Sequence, residues 1–267
     1  MDVVKSETDE IAATRTNGQD YVNSFARGLE VIRVFTRRKP RMTLSEVAEE
    51  TGMSRATVRR FLLTLVQEGY VESQGRYFNL LPKVLDLGFS VLSSMDIWDV
   101  AQPIVNELAE ELQESVMAAV LDKDSVVYLA RAFPNRMVTV GIRIGHRMPA
   151  HLGATGRTLL AALPDDELHA YLDNVTLEKF TAATITSKVK LRDEIEKARR
   201  QGFAIVDGEM EVGLRSISVP IYELNGKVAA ALNVGCPTGR VSADELKGKI
   251  LHELQNASRR ITEALRG

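Results

Sequence analysis

The first eighty residues alternate between stretches of helical periodicity and residues that end helices. Residues 1–20 show no apolar periodicity, so a disordered tail is expected there. Beyond this tail, apolar positions three or four residues apart predict three helices. We expect these helices over residues 24–37, 43–51 and 54–68. Two β-like segments follow, residues 70–73 and 76–80, and the intervening Gln74-Gly75 predicts a tight hairpin.

The second and third helices carry end signals in the sequence. Thr43 with Glu46 three residues later is a capping box, and Gly52 is placed to end that helix. Ser54 is a favoured N-cap for the helix that follows. The small residue Ala48 lets two helices approach each other closely. Two short helices joined by a glycine turn match the helix-turn-helix pattern, whose second helix enters the major groove of DNA.

The third helix has one apolar side and one basic side. The apolar side holds Val58, Phe61, Leu62 and Leu65. The opposite side holds Arg55, Ala56, Arg59 and Arg60. An arginine can form two hydrogen bonds with O6 and N7 of guanine, and a helix N-terminus favours phosphate. The alternative is an ordinary solvated charged face, but no acidic residue between Arg55 and Gln67 balances these arginines.

The segment after the hairpin reads as a linker. Pro82 suits the first turn of a helix, and residues 84–95 are apolar almost all round. Such a helix must be buried on every side, and a partner subunit would cover it.

The rest of the chain predicts one mixed α/β domain. Its helices are expected at residues 99–113, 154–163, 165–172, 191–201 and 243–265. Its strands are expected at residues 115–121, 125–132, 137–144, 203–207, 216–222 and 228–234.

Composition places the chain among ordinary globular proteins. Apolar residues make up 45% and charged residues 26% of 267 residues, which suggests two domains. Cys236 is the one cysteine, so no intrachain disulfide can form and a reducing, cytoplasmic location is expected. No apolar run is long enough for a membrane span.

The net charge of −2 conceals a split along the chain. Residues 21–80 carry ten basic and six acidic side chains, whereas the segments on either side are both acidic. A basic module between acidic segments indicates nucleic-acid contact by one part of the chain only.

We therefore assign candidate DNA contacts to this module. Ser54 and Thr57 are expected to position the backbone, while Arg55, Arg59 and Arg60, beside Ala56, would contact base edges or adjacent phosphates. The remaining basic residues are expected to contact phosphate or to serve only solubility. They are Arg37, Arg38, Lys39, Arg41 and Arg76.

With these residues in hand, the chain resembles the IclR family of bacterial transcriptional regulators along nearly all its length. The matching N-terminal motifs are residues 24–31, 44–48 and 51–57; the matching C-terminal motifs are residues 149–157, 202–204 and 213–216. Residues 26–29, 59–65 and 92–94 also resemble the branch that regulates protocatechuate, 4-hydroxybenzoate and β-ketoadipate catabolism.

The resemblance implies an α+β chain: a winged helix-turn-helix, a linker helix and a GAF-like α/β effector domain. We place the tail at 1–20, the DNA-binding domain at 21–81, the linker at 82–98 and the effector and oligomerisation domain at 99–267. It also implies a homodimer or a dimer of dimers, in which two DNA-binding domains read two half-sites.

The resemblance further implies an effector pocket on one side of the C-terminal sheet. Its lining, carried over by motif position, would be Met137, Ala154, Thr155, Asp207, Ser216, Asn233 and Gly235. A small carboxylate suits these positions, because Ala154 and Thr155 begin a predicted helix whose free N–H groups attract an anion. Ordinary roles stay open: Met137 could be plain core, and Asp207 could only cap a turn.

Several arginines are alternative carboxylate ligands. Arg143, Arg147 and Arg157 could hold the effector, although surface salt bridges are expected for at least two of them. Arg215 could instead fasten the loop of residues 209–211.

The sequence contains no complete motif of the enzyme classes that we considered. A phosphate loop would need glycine at His151 and lysine at Arg157, and no G-x-S-x-G elbow occurs. Cys236 before a proline is typical of a small buried hydrophobic residue. The four histidines show no metal-ligand spacing, so no metal and no cofactor are expected; a metal held by His146 and His151, five residues apart in a predicted loop, is the disfavoured alternative.

The sequence thus predicts a sequence-specific DNA-binding regulator, not an enzyme, controlled by an aromatic or dicarboxylic acid. Expected partners are a double-stranded DNA operator, the effector, further copies of the chain and RNA polymerase. The alternative is a DNA-binding protein whose C-terminal domain only oligomerises and binds no ligand.

Overall fold

The fold is that of a computed structural model, described over residues 21–87, 97–134, 142–223 and 225–265. The chain forms two compact units, Met1–Val91 and Leu92–Gly267. In the described part of the chain, no helix is long and apolar enough to cross a membrane.

The N-terminal unit consists of three helices and a three-stranded sheet. Its helices are α1 (Asn23–Arg33), α2 (Leu44–Thr51) and α3 (Arg55–Gln67). Its strands are β1 (Arg41–Thr43), β2 (Val71–Gln74) and β3 (Tyr77–Leu80), with β3 in the centre and both neighbours antiparallel to it. A 3-10 turn, Pro82–Leu85, follows. The buried core comprises Val31, Met42, Val47, Ala48, Val58 and Leu62.

Local hydrogen bonds explain where these helices begin. The Thr43 N–H donates to Glu46 Oε2 at 2.7 Å, and the Glu46 N–H donates back to the Thr43 hydroxyl, which confirms the capping box. Gly52 ends α2 with φ +64°, a left-handed conformation that favours glycine. Gln74 pairs with Tyr77, so the hairpin turn is Gly75-Arg76, one residue later than the sequence suggested.

The C-terminal unit is built on a six-stranded antiparallel sheet in the order β6-β5-β4-β9-β8-β7. Its strands are β4 (Ser115–Asp122), β5 (Ser125–Ala132), β6 (Arg147–Pro149), β7 (Ala204–Asp207), β8 (Leu214–Tyr222) and β9 (Val228–Pro237). Helix α4 (Ile97–Leu112) precedes the sheet, and α5 (Ala154–Leu160), α6 (Asp165–Asn174) and α7 (Lys188–Gln201) lie between β6 and β7 in sequence. The final helix, α8, has three consecutive segments, Ala243–Glu245, the π-helical turn Leu246–Ile250 and Leu251–Ala264.

Helices cover both faces of this sheet. One core layer packs α4 and α8 against inward residues of β4, β8 and β9, such as Val116, Ile217 and Leu232. The other packs α5, α6 and α7 against residues such as Met117 and Ala231. Side chains of successive strand residues point alternately into the two core layers. Because both layers are apolar, the strands carry apolar residues on both faces.

Two predicted elements fall largely outside the described residues. Of the linker, 82–98, residues 88–96 lie outside them; the described remainder is the 3-10 turn, the helical residues 86–87 and the first residues of α4. Of the strand predicted at 137–144, residues 137–141 lie outside, and residues 142–144 do not form a strand.

Candidate DNA interface and effector pocket

Helix α3 exposes a basic surface on its first two turns. Arg55, Arg59 and Arg60 are exposed, as is Ala56, while Val58 on the opposite side is fully buried. The Ser54 hydroxyl accepts a hydrogen bond from the Thr57 N–H at 3.2 Å and so fixes the start of the helix. The structure therefore brings the predicted α3 contacts together on one accessible surface.

Among the described residues, no acidic side chain forms a salt bridge with these arginines. Within the described part of the N-terminal unit, the one salt bridge joins Lys39 to Glu50, whose carboxylate raises the pKa of Lys39. Lys39 is thus paired with an acid, whereas the α3 guanidinium groups face solvent and can accept an anionic partner.

The three-stranded sheet β1-β3-β2, which we call the wing, carries a second basic group, and Tyr77 lies between its two arginines. The guanidinium groups of Arg41 and Arg76 lie 5.4 and 5.1 Å from the centre of the Tyr77 ring. Arg76 also donates a hydrogen bond to the Tyr77 hydroxyl, and Arg41 donates one to Gln74. Cation–π contacts of this kind hold two like charges side by side. Arg38 is exposed in the loop before β1, without such support.

Five of the seven predicted effector residues line one cavity in the C-terminal unit. The cavity measures about 50 Å³. The five residues are Ala154, Thr155, Ser216, Asn233 and Gly235. The lining residues that sequence reasoning missed are Ser115, Met117, Tyr128, Ile142, Met148, Leu152, Gly153, Val206, Glu209, Met210 and Leu214. Because it holds most of the residues predicted for the effector, we refer to this cavity as the effector pocket.

The other two predicted residues are not found there. Met137 lies outside the described residues. Asp207 does not line the pocket; its carboxylate accepts hydrogen bonds from Arg215 at 2.6 and 2.8 Å. The position of Asp207 at the end of β7 directs it to a cross-strand partner on β8. Arg215 accordingly binds Asp207 and not the loop of residues 209–211.

The polar groups of the effector pocket are mostly neutral. Asn233 donates through Nδ2 to the Ile217 carbonyl at 3.1 Å, which orients its amide. Burial raises the pKa of the Tyr128 phenol, and a hydrogen bond with Thr155 offsets part of that rise. Helix α5 begins here at Ala154, and its N-cap Gly153 provides no side-chain hydrogen bond. Glycine has no side chain that could cap the helix, so its first N–H groups can donate hydrogen bonds to an acceptor on a ligand.

A buried ion pair lies beside the pocket. Arg157 on α5 donates to Glu209 Oε2 at 2.6 Å and to the His151 carbonyl at 3.2 Å. The Ile185 N–H also donates to Glu209 at 3.1 Å. Side-chain exposure is 2% for Arg157 and 9% for Glu209. Arg157 does bind a carboxylate, as its residue type suggests, but this carboxylate is the side chain of Glu209 and not part of an effector. Sequence spacing could not identify Glu209, which is 52 residues away.

The remaining candidate arginines of this unit lie at the surface. Arg147 forms a salt bridge with Asp122 at 2.6 Å, with both side chains about half exposed. Arg143 is exposed. Neither residue lines the effector pocket.

Cys236, the candidate thiol of the sequence, is buried in β9. Burial raises the pKa of the Cys236 thiol to about 12, which keeps it protonated and poorly nucleophilic. No group of three or more potential metal ligands occurs in the part of the chain that the structure covers.

Comparison with known proteins identifies both units. The IclR helix-turn-helix domain model matches residues 24–75, and the model for the bacterial transcriptional regulator IclR C-terminal domain matches residues 89–263. The Pca regulon regulatory protein of Pseudomonas putida is 42% identical over 253 residues, which cover 94% of this chain and 87% of that protein.

Solved structures agree with this assignment. A transcriptional regulator from Rhodococcus sp. RHA1 is 44% identical, with a TM-score of 0.83, and covers 92% of this chain and 99% of its own. The inducer-binding domain of a PobR double mutant from Acinetobacter, solved with 3-hydroxybenzoic acid, is 29% identical with a TM-score of 0.58, and covers 61% of this chain and 96% of its own. These matches confirm the α+β fold and the resemblance drawn from the motifs: this chain belongs to the IclR family of bacterial transcriptional regulators.

Proposed function

We propose that this regulator binds its operator through α3 and the wing, and that a small aromatic carboxylic acid in the effector pocket controls that binding. The observation that carries the proposal is that five of the residues carried over from the family's motif positions line one pocket, at a buried helix start without a side-chain cap. The proposal assigns effector contacts to Ala154, Thr155, Ser216, Asn233 and Gly235.

The DNA-binding half rests on the surface of α3. Three exposed guanidinium groups occupy the turns nearest the N-cap, and the side of the helix that holds them is the side not buried by the core. In a helix-turn-helix, the first turns of the second helix reach the base edges. Arg41 and Arg76 both lie against the Tyr77 ring, which holds the two guanidinium groups without neutralising their charge. They therefore suit contacts with phosphates beside the DNA groove that α3 enters.

Replacing Arg59 with alanine is expected to reduce discrimination between operator and random DNA by about 1–3 kcal/mol, as for an arginine that reads a base. Arg38→Ala is the matched control: loss of a phosphate contact should weaken both DNAs equally and lower the salt dependence by about one ion. Operators obtained by selection from a random pool, followed by salt-dependent binding assays, measure both. An equal loss on both DNAs for Arg59→Ala would make Arg59 a phosphate contact.

The effector half rests on the chemistry of the pocket. Its neutral donors and uncapped N–H groups suit a carboxylate and a hydroxyl group, while Met117, Met148 and Met210 supply an apolar lining. The PobR inducer-binding domain holds such a compound, a hydroxybenzoic acid. The described cavity, about 50 Å³, is smaller than the roughly 150 Å³ that accommodates benzene elsewhere. Methionine side chains are flexible enough to make the remaining space.

Hydroxybenzoic acids are therefore expected to bind the full chain, and Ser216→Ala should weaken that binding about fivefold, the value of one hydrogen bond near 1 kcal/mol. Ser218→Ala is the matched control, because that hydroxyl on the same strand already donates to the Leu232 carbonyl and lies off the pocket. Calorimetric titration measures both affinities. If no aromatic or dicarboxylic acid binds, the C-terminal unit is an oligomerisation scaffold, the second candidate function.

The proposal includes a dimer or a dimer of dimers, located in the cytoplasm, that regulates aromatic-acid catabolic genes and contacts RNA polymerase. Exposed apolar side chains on and before α1, such as Tyr21, Val22 and Phe25, support self-association of the N-terminal unit. The effector would change the affinity of the regulator for DNA only if the effector binds one arrangement of the subunits more tightly than another.

A further inference from the structure

The exposed side of α3 carries one large apolar side chain, that of Leu63. It is 44% exposed, whereas the neighbouring Leu62 is fully buried. Among the described residues, neither the core of the N-terminal unit nor the apolar side chains packed against that core include Leu63. Packing within this unit therefore does not explain why a leucine, and not a polar residue, occupies this exposed position.

The helical period places Leu63 among the candidate DNA contacts. Residues three or four apart are neighbours on the surface of a helix. Leu63 follows Arg59 by four residues and Arg60 by three, and Ala56 precedes the same two arginines by three and four. Viewed down the helix axis, Ala56 and Leu63 lie within about 20° of each other, between the two arginines. All four residues are exposed, and we refer to Ala56 and Leu63 as the apolar strip.

The apolar strip points away from α1. Phe61 of α3 lies on the side of α1, because its ring is 3.8 Å from the position that a Cβ atom on Gly28 would take. At 3.6 residues per turn, Leu63 lies about 160° from Phe61 around the helix. The exposed apolar side chains on and before α1, which we assign to self-association, therefore belong to a different surface.

The apolar strip matches one feature of the major groove of DNA. Thymine presents its C5-methyl group there, whereas the edges of the other three bases present polar atoms only. An apolar side chain that touches this methyl group removes apolar surface of both partners from water. The arginines on both sides of the strip complement the charge of a polyanion, which favours DNA over an apolar protein surface as the occupant.

We propose that Leu63 contacts a thymine methyl group in the operator and so selects thymine at one position of each half-site. This contact rests on the proposed DNA-binding function and adds a base preference to it. Arg59 and Arg60 lie on either side and hold neighbouring guanines or phosphates. Leu63 is thus a specificity-determining residue, although it carries no hydrogen-bonding group.

Deoxyuridine substitution tests this contact, because uracil differs from thymine only by the absence of the C5-methyl group. Each thymine of an operator selected from a random pool is replaced singly, and the binding of the full chain is measured by fluorescence anisotropy. At the thymine that Leu63 contacts, we expect about fourfold weaker binding, the value of one buried methyl group. Leu63→Ala should weaken binding of the original operator by at least about fourfold. The same deoxyuridine substitution should no longer affect this variant.

Thr64→Ala is the matched control. Thr64 is exposed on the same helix, but it lies off the apolar strip and its hydroxyl donates to the Arg60 carbonyl at 2.9 Å. This variant should keep the full response to deoxyuridine. Alanine has the highest helix propensity, so we expect both variants to fold, which circular dichroism checks.

Three results would overturn the inference. An operator that contains no thymine, or that loses no affinity at any deoxyuridine position, would mean that no methyl group is recognised. A deoxyuridine response that Leu63→Ala leaves unchanged would assign the methyl contact to another residue. A smaller assembly of Leu63→Ala in analytical ultracentrifugation, with an unchanged response, would make Leu63 a contact between copies of the chain. Failure to select any operator would instead contradict the proposed DNA-binding function itself.

Discussion

Replacing Arg157 with methionine is expected to lower the free energy of unfolding of the C-terminal unit by about 3–5 kcal/mol, the cost of leaving one charge of a buried ion pair alone. The Glu209 carboxylate would keep its hydrogen bond from the Ile185 N–H but lose the cation that is paired with it. The expected effect is large because both side chains are almost inaccessible to water, which could otherwise solvate the remaining charge.

Urea denaturation measures this loss. Trp98 is the only tryptophan of the chain and is buried in α4, so its fluorescence reports unfolding of the C-terminal unit. The matched control is the double variant Arg157→Met with Glu209→Leu, which removes both charges and should recover most of the stability. A single variant as stable as the original chain would show that the Glu209 carboxylate does not depend on Arg157 for its burial.

Replacing Gly156 with alanine is expected to destabilise the same unit by at least about 3 kcal/mol, the upper range for overpacking of a core. A Cβ atom built on Gly156 would lie 1.9 Å from the carbonyl oxygen of Ala150, a backbone atom that no side-chain rotation can move. Helix α5 would have to shift, and with it Ala154 and Thr155 at the edge of the effector pocket. We therefore expect effector binding to fall together with stability.

The same fluorescence assay, combined with the effector titration, checks this prediction. Gly248→Ala is the matched control: that helical glycine is exposed, and nothing lies within 4 Å of the position that a Cβ atom would take there. At Gly248, alanine should stabilise by about 0.5–1 kcal/mol, through its better helix propensity. Near-normal stability of Gly156→Ala would mean that the contact between α5 and residue 150 relaxes easily.

The N-terminal unit follows closely from local sequence signals. Local signals set the ends of its helices: the capping box at Thr43, the turn at Gly52 and the N-cap at Ser54. Each acts over three or four residues, so the sequence around it is enough to predict its effect. The helical period alone predicts that Val58 lies on the buried side of α3 and Arg59 on the exposed side. The one-residue error at the hairpin arose because strand pairing, and not the glycine alone, decides where the turn lies.

The effector pocket was predictable only in part. Motif positions identified five lining residues, because each motif lies on an element that borders the pocket. Asp207 was misplaced, since its side chain belongs to a salt bridge across β7 and β8 that only the strand register reveals. Glu209 was missed because nothing near it in sequence indicates that its partner is Arg157.

The sequence by itself determined the family, the basic module, the helix that presents its arginines and most of the other elements, but not the short strands β1 and β6. These properties depend on periodicity, capping and local charge, all of which act between near neighbours. Tertiary structure decided which polar groups share a cavity, which charges are buried and which partners they find. Those properties depend on contacts between residues far apart in the chain, such as Arg157 with Glu209, and their energies are set by exclusion of water, which exists only once the sheet and helices have packed.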